Sequence, residues 1–198
     1  MLWCFRVGPG DAADRSIMYY YAIQVRTSAE DDFIRRAAFT AAAANGRFFA
    51  PKRLLPIKKG GKTIKKLYMV FPGYVFYETD ELGDEVRWAI RRLDGFYRFL
   101  RSSSSPTPLS EADRRILLHF ISFGERADIS KVTFDENERI VVLEGALKGL
   151  EGQIVKVDRR RGRAKVALDI CSEGFLVDLA FTVVEKVTTG GRLPHDGP

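Results

Sequence analysis

The sequence predicts an α+β protein with two units, an N-terminal β-α-β-β-α-β unit with its helices on one sheet face and a small C-terminal β-barrel. Three observations predict this class. Strand-like and helix-like segments alternate between Tyr19 and Leu100. A serine- and proline-rich stretch, residues 102–108, interrupts the pattern. Beyond Ser130 the apolar runs are short, broken by glycines and without a helical period, and we expect five short strands that form a small barrel.

The first strand and helix follow from local signals. Residues 19–25 are aromatic and β-branched, which favours a strand. Ser28 then offers an N-cap, and the acidic residues 30–32 suit the first turn of a helix. We expect this helix to run to about Ala44 and to end at Asn45-Gly46.

A basic hairpin is predicted next. Every formally charged residue from Arg47 to Lys66 is positive, so the segment attracts anions. Gly60-Gly61 lies inside it between two runs with β-branched and apolar residues, which indicates a hairpin with a glycine turn at its tip.

The rest of the N-terminal unit completes the sheet. We expect a strand over 74–77, a helix over about 81–92 and a short strand over 96–100. The helices then cover one face, and the other face is free for a partner. Ser110 is predicted to cap a further helix that closes this unit, with its apolar residues at helical spacing. Those residues are Ile116, Leu117, Phe120 and Ile121.

Composition limits the classes of function. The 198 residues are 45% hydrophobic and 29% charged, with a net charge of +6, which permits nucleic-acid contact without showing it. No secretory signal and no apolar run long enough for a membrane span is present, so we expect a cytoplasmic protein. Cys4 and Cys171 are too isolated for a zinc site, and His119 and His195 have no catalytic spacing. We therefore predict no enzyme activity, no metal and no cofactor.

Four motifs occur in a fixed order along the chain. They are Tyr20-Tyr21-Ala22-Ile23-Gln24-Val25, Phe71-Pro72-Gly73-Tyr74-Val75-Phe76, Gly149-Leu150-Glu151-Gly152 with Val155-Lys156-Val157, and Val183-Val184-Glu185-Lys186-Val187. Together they resemble the NusG family of transcription elongation factors. The resemblance implies an NGN domain at 18–123, a linker at 124–130 and a KOW barrel at 131–187. Residues 1–17 are then disordered or a start-site extension, and 188–198 a disordered tail.

The resemblance also implies partners. In this family the N-terminal domain docks by an apolar patch on the clamp helices of the largest RNA polymerase subunit, a role that passes to Tyr20, Phe71 and Tyr74 through the matching motifs. The hairpin would then contact nascent RNA or upstream DNA. Its candidate residues are Lys52, Arg53, Lys58, Lys59, Lys62, Lys65 and Lys66. A secondary basic patch comprises Arg159, Arg160, Arg161 and Arg163, for which a solvated hairpin tip is an equally good interpretation.

Not all the aromatic residues of the predicted sheet are expected to meet a partner. Five aromatic residues come from different predicted strands, and about half of them are expected to be core. They are Tyr20, Phe71, Tyr74, Phe96 and Phe99.

Residues 169–178 lack the phenylalanine-arginine pair of the housekeeping factor, which puts tethering to a ribosomal protein or to Rho in doubt. This departure and the basic hairpin point to a monomeric, operon-specific paralogue, LoaP- or RfaH-like, that increases processivity.

Two alternatives remain open at this stage. A KOW-like barrel also occurs in ribosome-associated proteins that bind structured RNA, which would predict rRNA binding without polymerase contact. A generic DNA-binding regulator is less favoured, because no helix-turn-helix spacing is visible. Whether the two units touch is not decided by the sequence.

Overall fold

A computed structural model describes residues 18–100, 105–124 and 126–184. The expectations for residues 1–17 and 188–198 lie outside this part of the chain. The N-terminal elements are β1 (Tyr19–Val25), α1 (Glu30–Ala37), a 3-10 turn (Ala41–Ala43), β2 (Arg47–Phe49), β3 (Lys52–Lys59), β4 (Lys62–Met69), β5 (Tyr74–Thr79), α2 (Asp84–Arg91), β6 (Phe96–Phe99) and α3 (Glu111–Ile121). The C-terminal elements are β7 (Arg126–Ala127), β8 (Ser130–Phe134), β9 (Ile140–Glu144), a 3-10 turn (Glu151–Gln153), β10 (Ile154–Asp158), β11 (Arg163–Ile170) and β12 (Glu173–Val183).

The N-terminal sheet has four strands in the order β2-β5-β1-β6, and every pair is antiparallel. Side chains alternate across a strand, so Tyr21, Ile23 and Val25 of β1 point to one face. There they form a buried cluster with Phe33 of α1 and Ile90 of α2. This half of the fold agrees with the prediction that helices cover one sheet face.

The start of α1 differs from the prediction. Ser28 does not cap the helix: its φ is 66°, and the N-cap position is Ala29, which makes no side-chain cap bond. Glu30 is buried instead, and its carboxylate accepts a 2.6 Å hydrogen bond from the backbone N–H of Gly73. The carboxylate is thus used to hold the turn before β5, a long-range contact that no local capping rule could show.

The basic hairpin is confirmed in its position and its turn. β3 and β4 pair antiparallel from Lys52↔Met69 to Lys59↔Lys62. Gly60 and Gly61 both have positive φ, 57° and 76°, as the two-residue type I′ turn requires. The hairpin is not isolated, because β7 adds to β3 in parallel, with Arg126 opposite Lys52. This short strand lies inside the segment predicted to be a linker.

The C-terminal sheet, defined as β8 to β12, has five strands in the order β10-β11-β12-β8-β9. β12 and β8 pair in parallel, and the other pairs are antiparallel. The α+β class and the five-stranded C-terminal unit are confirmed. Two details differ: β8 was not predicted as a strand, and β12 runs unbroken from Glu173 to Val183, where shorter strands were expected.

The second face of the N-terminal sheet is covered, and the prediction of a free face is wrong. Tyr20, Tyr74 and Phe76 lie on this face in one buried cluster with Phe120 of α3. The same cluster continues without a break into the C-terminal sheet, through residues such as Leu168. Helix α3 and the C-terminal sheet therefore pack on the side of the sheet opposite to α1 and α2.

Candidate functional site

The three predicted docking residues lie together. Tyr20 is on β1 and Tyr74 on the neighbouring β5, and Phe71 lies in the turn that leads into β5. Their side chains belong to one cluster on the second face of the sheet, which we call the aromatic face. All three are buried, with exposed fractions of 6%, 1% and 8% for Tyr20, Phe71 and Tyr74.

Tyr20 has a polar environment at its hydroxyl. Its O–H donates a 2.7 Å hydrogen bond to Oε1 of Glu78, and Oε2 of Glu78 accepts from Arg47 at 3.0 Å. The guanidinium of Arg114 lies 5.8 Å from the centre of the Tyr20 ring. Burial, and then the adjacent Glu78 carboxylate, raise the pKa of the Tyr20 phenol to about 12. Tyr20 is therefore fixed as a neutral hydrogen-bond donor.

Phe175 of the C-terminal sheet covers the aromatic face. Its ring meets the ring of Phe71 at 5.3 Å and that of Tyr74 at 5.4 Å, edge to face in both cases. Phe71 also packs against Phe120 of α3 at 5.8 Å. Such pairs add about 0.5 to 1.5 kcal/mol each beyond their buried area. The residues expected to meet a partner thus meet another part of the same chain.

Hydrogen bonds beside the aromatic cluster join α3 to the C-terminal part of the chain. The backbone N–H of Cys171, in the β11–β12 turn, donates to Oδ1 of Asp113 at 2.8 Å. Asp113 is buried in the first turn of α3, where its backbone N–H is capped by Ser110. On the same helix, Nε2 of His119 lies 2.8 Å from the carbonyl oxygen of Ala146.

Phe96 and Phe99 do not belong to the aromatic face. Phe99 is buried in the cluster beneath α1 and α2, and Phe96 packs against that cluster. The two rings contact each other at 5.4 Å. Phe99 is a core residue and Phe96 packs against the same core. Because Tyr20, Phe71 and Tyr74 are buried as well, the expectation that only about half of the five aromatics would be core is wrong.

The far half of the hairpin presents five exposed lysines. They are Lys58, Lys59, Lys62, Lys65 and Lys66. None of them forms an ion pair with any described residue. Register places Lys59, Lys62 and Lys66 on one face of the ribbon and Lys58 and Lys65 on the other, because directly paired residues share a face. An anion could therefore bind to the lysines on either face of the hairpin.

The root of the hairpin differs from its tip. Lys52 is paired with Asp31 at 2.7 Å. Arg53 is largely enclosed, its Nε has no hydrogen-bond partner among the described residues, and burial lowers the pKa of its guanidinium. Neither side chain is part of the exposed lysine surface, although both were predicted with it.

The secondary basic patch is divided in the same way. Arg163 reaches from β11 to the hairpin and donates a 2.8 Å hydrogen bond to the carbonyl oxygen of Pro56. Arg159 lies 3.8 Å over the ring of Phe134 and donates to the backbone of Glu138, and Arg161 is 3.7 Å from Asp158. Arg160 is exposed. Three of these four arginines thus have contacts within the chain, and the solvated-tip interpretation suits Arg160 best.

Sequence reasoning missed the two residues that organise the site, Phe175 and Asp113. Phe175 lies in the stretch 169–178 that departs from the housekeeping pattern, and this departure was the one available signal. Asp113 could be recognised as a first-turn acid of α3, but its bond to Cys171 is a tertiary contact.

The described residues contain no cluster of three or more His, Cys, Asp or Glu side chains that could hold a metal ion. No helix among them has the length and apolar character needed to cross a membrane.

Comparisons with known proteins point to one family. The family model described as transcription termination factor nusG matches residues 18–118. The transcription termination/antitermination protein NusG of Campylobacter jejuni is 30% identical over 129 residues, covering 65% of this chain and 72% of that protein. The Helicobacter pylori protein of the same name is 27% identical over 178 residues, or 86% of this chain and 99% of that protein. A solved structure described as domain interaction in Thermotoga maritima NusG covers 83% of this chain and 94% of its own, at 17% identity and a TM-score of 0.45.

Proposed function

This chain belongs to the NusG family of transcription termination and antitermination factors, and from that premise we propose that it binds RNA polymerase through the aromatic face. The observation that carries the proposal is that Tyr20, Phe71 and Tyr74 share one sheet face inside the segment that matches the family, residues 18–118. The partner is the pair of clamp helices of the largest subunit. The effect is increased processivity on selected operons.

The chemistry of the face suits a helical partner. Phe71 and Tyr74 are large, and aromatic anchors of this kind dominate the free energy of many interfaces. In the closed chain the ring of Phe175 already packs edge to face on both, so the surface accepts an apolar group in that position. The apolar side of a clamp helix would replace Phe175. Docking therefore requires the C-terminal sheet to leave the face.

The five exposed lysines of the hairpin supply the second contact. They carry a charge of +5 on a ribbon that is open on both sides. A hairpin with this charge neutralises phosphates of nearby DNA or nascent RNA, with the release of counterions. Arg53 and Lys52 are left out of this proposal because they are engaged at the hairpin root.

The mechanism needs no covalent step. A factor that binds the elongating polymerase more tightly than the paused one shifts the population toward elongation, by no more than its difference in affinity. A tether to a ribosomal protein or to Rho would have to use the C-terminal sheet, and residues 169–178 lack the phenylalanine-arginine pair expected for it.

The test is transcription through a terminator by purified polymerase with the full chain in large excess. Tyr74→Glu places a charge at the centre of the aromatic face, and Leu176→Glu is the matched control because Leu176 is 65% exposed on the strand that also carries Phe175. We expect wild type and Leu176→Glu to change readthrough and to bind polymerase, and Tyr74→Glu to do neither. Equal polymerase binding by the folded Tyr74→Glu protein would rule out this face as the docking surface.

A further inference from the structure

A small charged cavity lies on the C-terminal sheet. Its volume is about 130 Å³, and six charged side chains line it. They are Lys156 and Asp158 of β10, Arg161 of the β10–β11 turn, Arg163 and Lys165 of β11, and Asp178 of β12. The aromatic face and the five exposed hairpin lysines contribute none of these residues, so the cavity is separate from the surfaces already assigned.

The strand register brings the lining residues together. Lys156 is opposite Lys165, and Lys165 is opposite Asp178, so these three form one row across β10, β11 and β12. Asp158 is opposite Arg163 in the next row. Directly paired residues share a face of a sheet, as do residues two apart on one strand. The five strand residues of the lining therefore project from one face into a common space.

The lining has an excess of positive charge. Its four cations and two carboxylates give a net charge of +2. Both carboxylates are already paired: Lys165 with Asp178 at 2.9 Å, and Arg161 with Asp158 at 3.7 Å. Neither Lys156 nor Arg163 forms an ion pair with a described residue. These two side chains carry the charge that a bound dianion would neutralise.

Arg163 also has an unused hydrogen-bond donor. Its Nη2 donates to the carbonyl oxygen of Pro56 at 2.8 Å, but its Nε is buried without a partner among the described residues. A buried donor left unpaired is unfavourable, and an acceptor oxygen in the cavity would satisfy it. Arg53 of β3 adds a further charge nearby: burial lowers the pKa of its guanidinium, Asp178 opposes this shift and Arg163 adds to it. The local electrostatic potential therefore favours an anion.

The size and charge of the cavity favour a small dianion. Cavities that enclose a drug-sized ligand have volumes of roughly 300 to 1,000 Å³. A cavity of about 130 Å³ admits only a group of a few heavy atoms. A carboxylate or a backbone phosphodiester carries one negative charge, whereas a terminal phosphate carries about −1.5 to −2 at neutral pH. Arginine and lysine both bind phosphate oxygens through charge-assisted hydrogen bonds.

We propose that the C-terminal sheet binds a phosphate dianion in this cavity, either inorganic phosphate or the terminal phosphate of a nucleotide whose base stays outside. Lys156 and Arg163 bind its oxygens directly. Asp178 competes with the ligand for Lys165 and so limits the affinity. The site does not depend on polymerase docking, because none of its residues belongs to the aromatic face.

The test is a titration of the full chain with phosphate at constant ionic strength, followed by NMR of the backbone amides of residues 156–165. Lys156→Gln removes one of the two unmatched charges. Lys148→Gln is its matched control, because Lys148 is an exposed lysine that does not line the cavity and the two variants have the same net charge. We expect Lys156→Gln to weaken phosphate binding about fivefold, equivalent to about 1 kcal/mol. Lys148→Gln should match wild type.

A second variant should change the affinity in the opposite direction. Asp178→Asn removes the competing carboxylate and frees Lys165, so phosphate should bind more tightly than to wild type. If the ion pair only supports the sheet, the folded Asp178→Asn protein will bind phosphate no more tightly than wild type, which would contradict the proposed site.

Nucleotide probes separate the two sources of phosphate. Adenosine monophosphate is compared with inorganic phosphate, with adenosine and the dinucleotide ApA, whose only phosphate is a diester, as controls. Equal binding of the first two identifies the ligand as phosphate itself, and tighter binding of adenosine monophosphate identifies a nucleotide. Three results would overturn the assignment: no saturable shift with phosphate beyond that with chloride, equal phosphate binding by Lys156→Gln and Lys148→Gln, or binding of ApA as tight as that of adenosine monophosphate.

Discussion

Replacement of the five exposed hairpin lysines by glutamine is the most direct perturbation of the proposed nucleic-acid contact. Lys58, Lys59, Lys62, Lys65 and Lys66 lie beyond the hairpin root and form no ion pair with the described residues. Their removal therefore leaves the aromatic face and its cover unchanged. Each phosphate contact contributes about 0.7 to 0.9 to the log-log salt slope, so loss of all five lowers the slope by about 3.5 to 4.5.

The assay is fluorescence anisotropy with a labelled duplex and a labelled single strand, from about 50 to 200 mM salt. Lys52→Gln serves as the control, because Lys52 is already neutralised by Asp31 at 2.7 Å and should leave the slope unchanged. A fivefold variant with the wild-type slope would return these lysines to an ordinary solvated surface.

The register allows the contact to be divided between the two faces of the hairpin. Three lysines lie on one face and two on the other: Lys59, Lys62 and Lys66 against Lys58 and Lys65. If nucleic acid surrounds the hairpin, the triple and double variants lower the slope in a ratio of three to two. If only one face is used, one variant removes the whole effect and the other removes none.

Two further predictions concern stability and ionisation. In urea denaturation, Gly145→Ala should lower the free energy of unfolding clearly more than Gly149→Ala. Both glycines have positive φ, 95° and 86°, so alanine is strained at either position. Only at Gly145 would the added Cβ meet another atom, because it would lie 2.6 Å from Cα of Ser130. Gly149→Ala should lose about 1 to 2 kcal/mol from strain alone, and equal losses would show that the contact with Ser130 is relieved by a small shift. The phenol of Tyr20 should titrate near pH 12 in the ultraviolet difference between wild type and Tyr20→Phe. The pKa of the Tyr20 phenol is higher in the folded chain than the value of about 10 in the unfolded chain. Its contribution to stability is therefore present below pH 10 and is lost as the pH rises toward 12. A titration midpoint of the phenol near pH 10 would contradict the burial of Tyr20 and its contact with Glu78.

Features that depend on residues close together in the chain were predictable from the amino-acid sequence. The Gly60-Gly61 tip follows from the φ values that only glycine adopts easily, and Ser110 caps α3 as its position predicted. The aromatic and β-branched composition of residues 19–25 correctly predicted β1. The α+β class followed from the same local rules, as did four of the five C-terminal strands, β9 to β12. The order of the four motifs pointed to the family.

The accessibility of the aromatic and cationic residues depends on how distant parts of the chain pack together. Phe71 has the same local pattern whether it meets solvent, a partner or Phe175, which is about a hundred residues later in the chain. Arg53 belongs to the same basic run as Lys58, but packing of β11 and β12 on the hairpin encloses the arginine and leaves the lysine exposed. Burial depends on contacts between segments that are distant in sequence, and neither residue type nor spacing encodes those contacts.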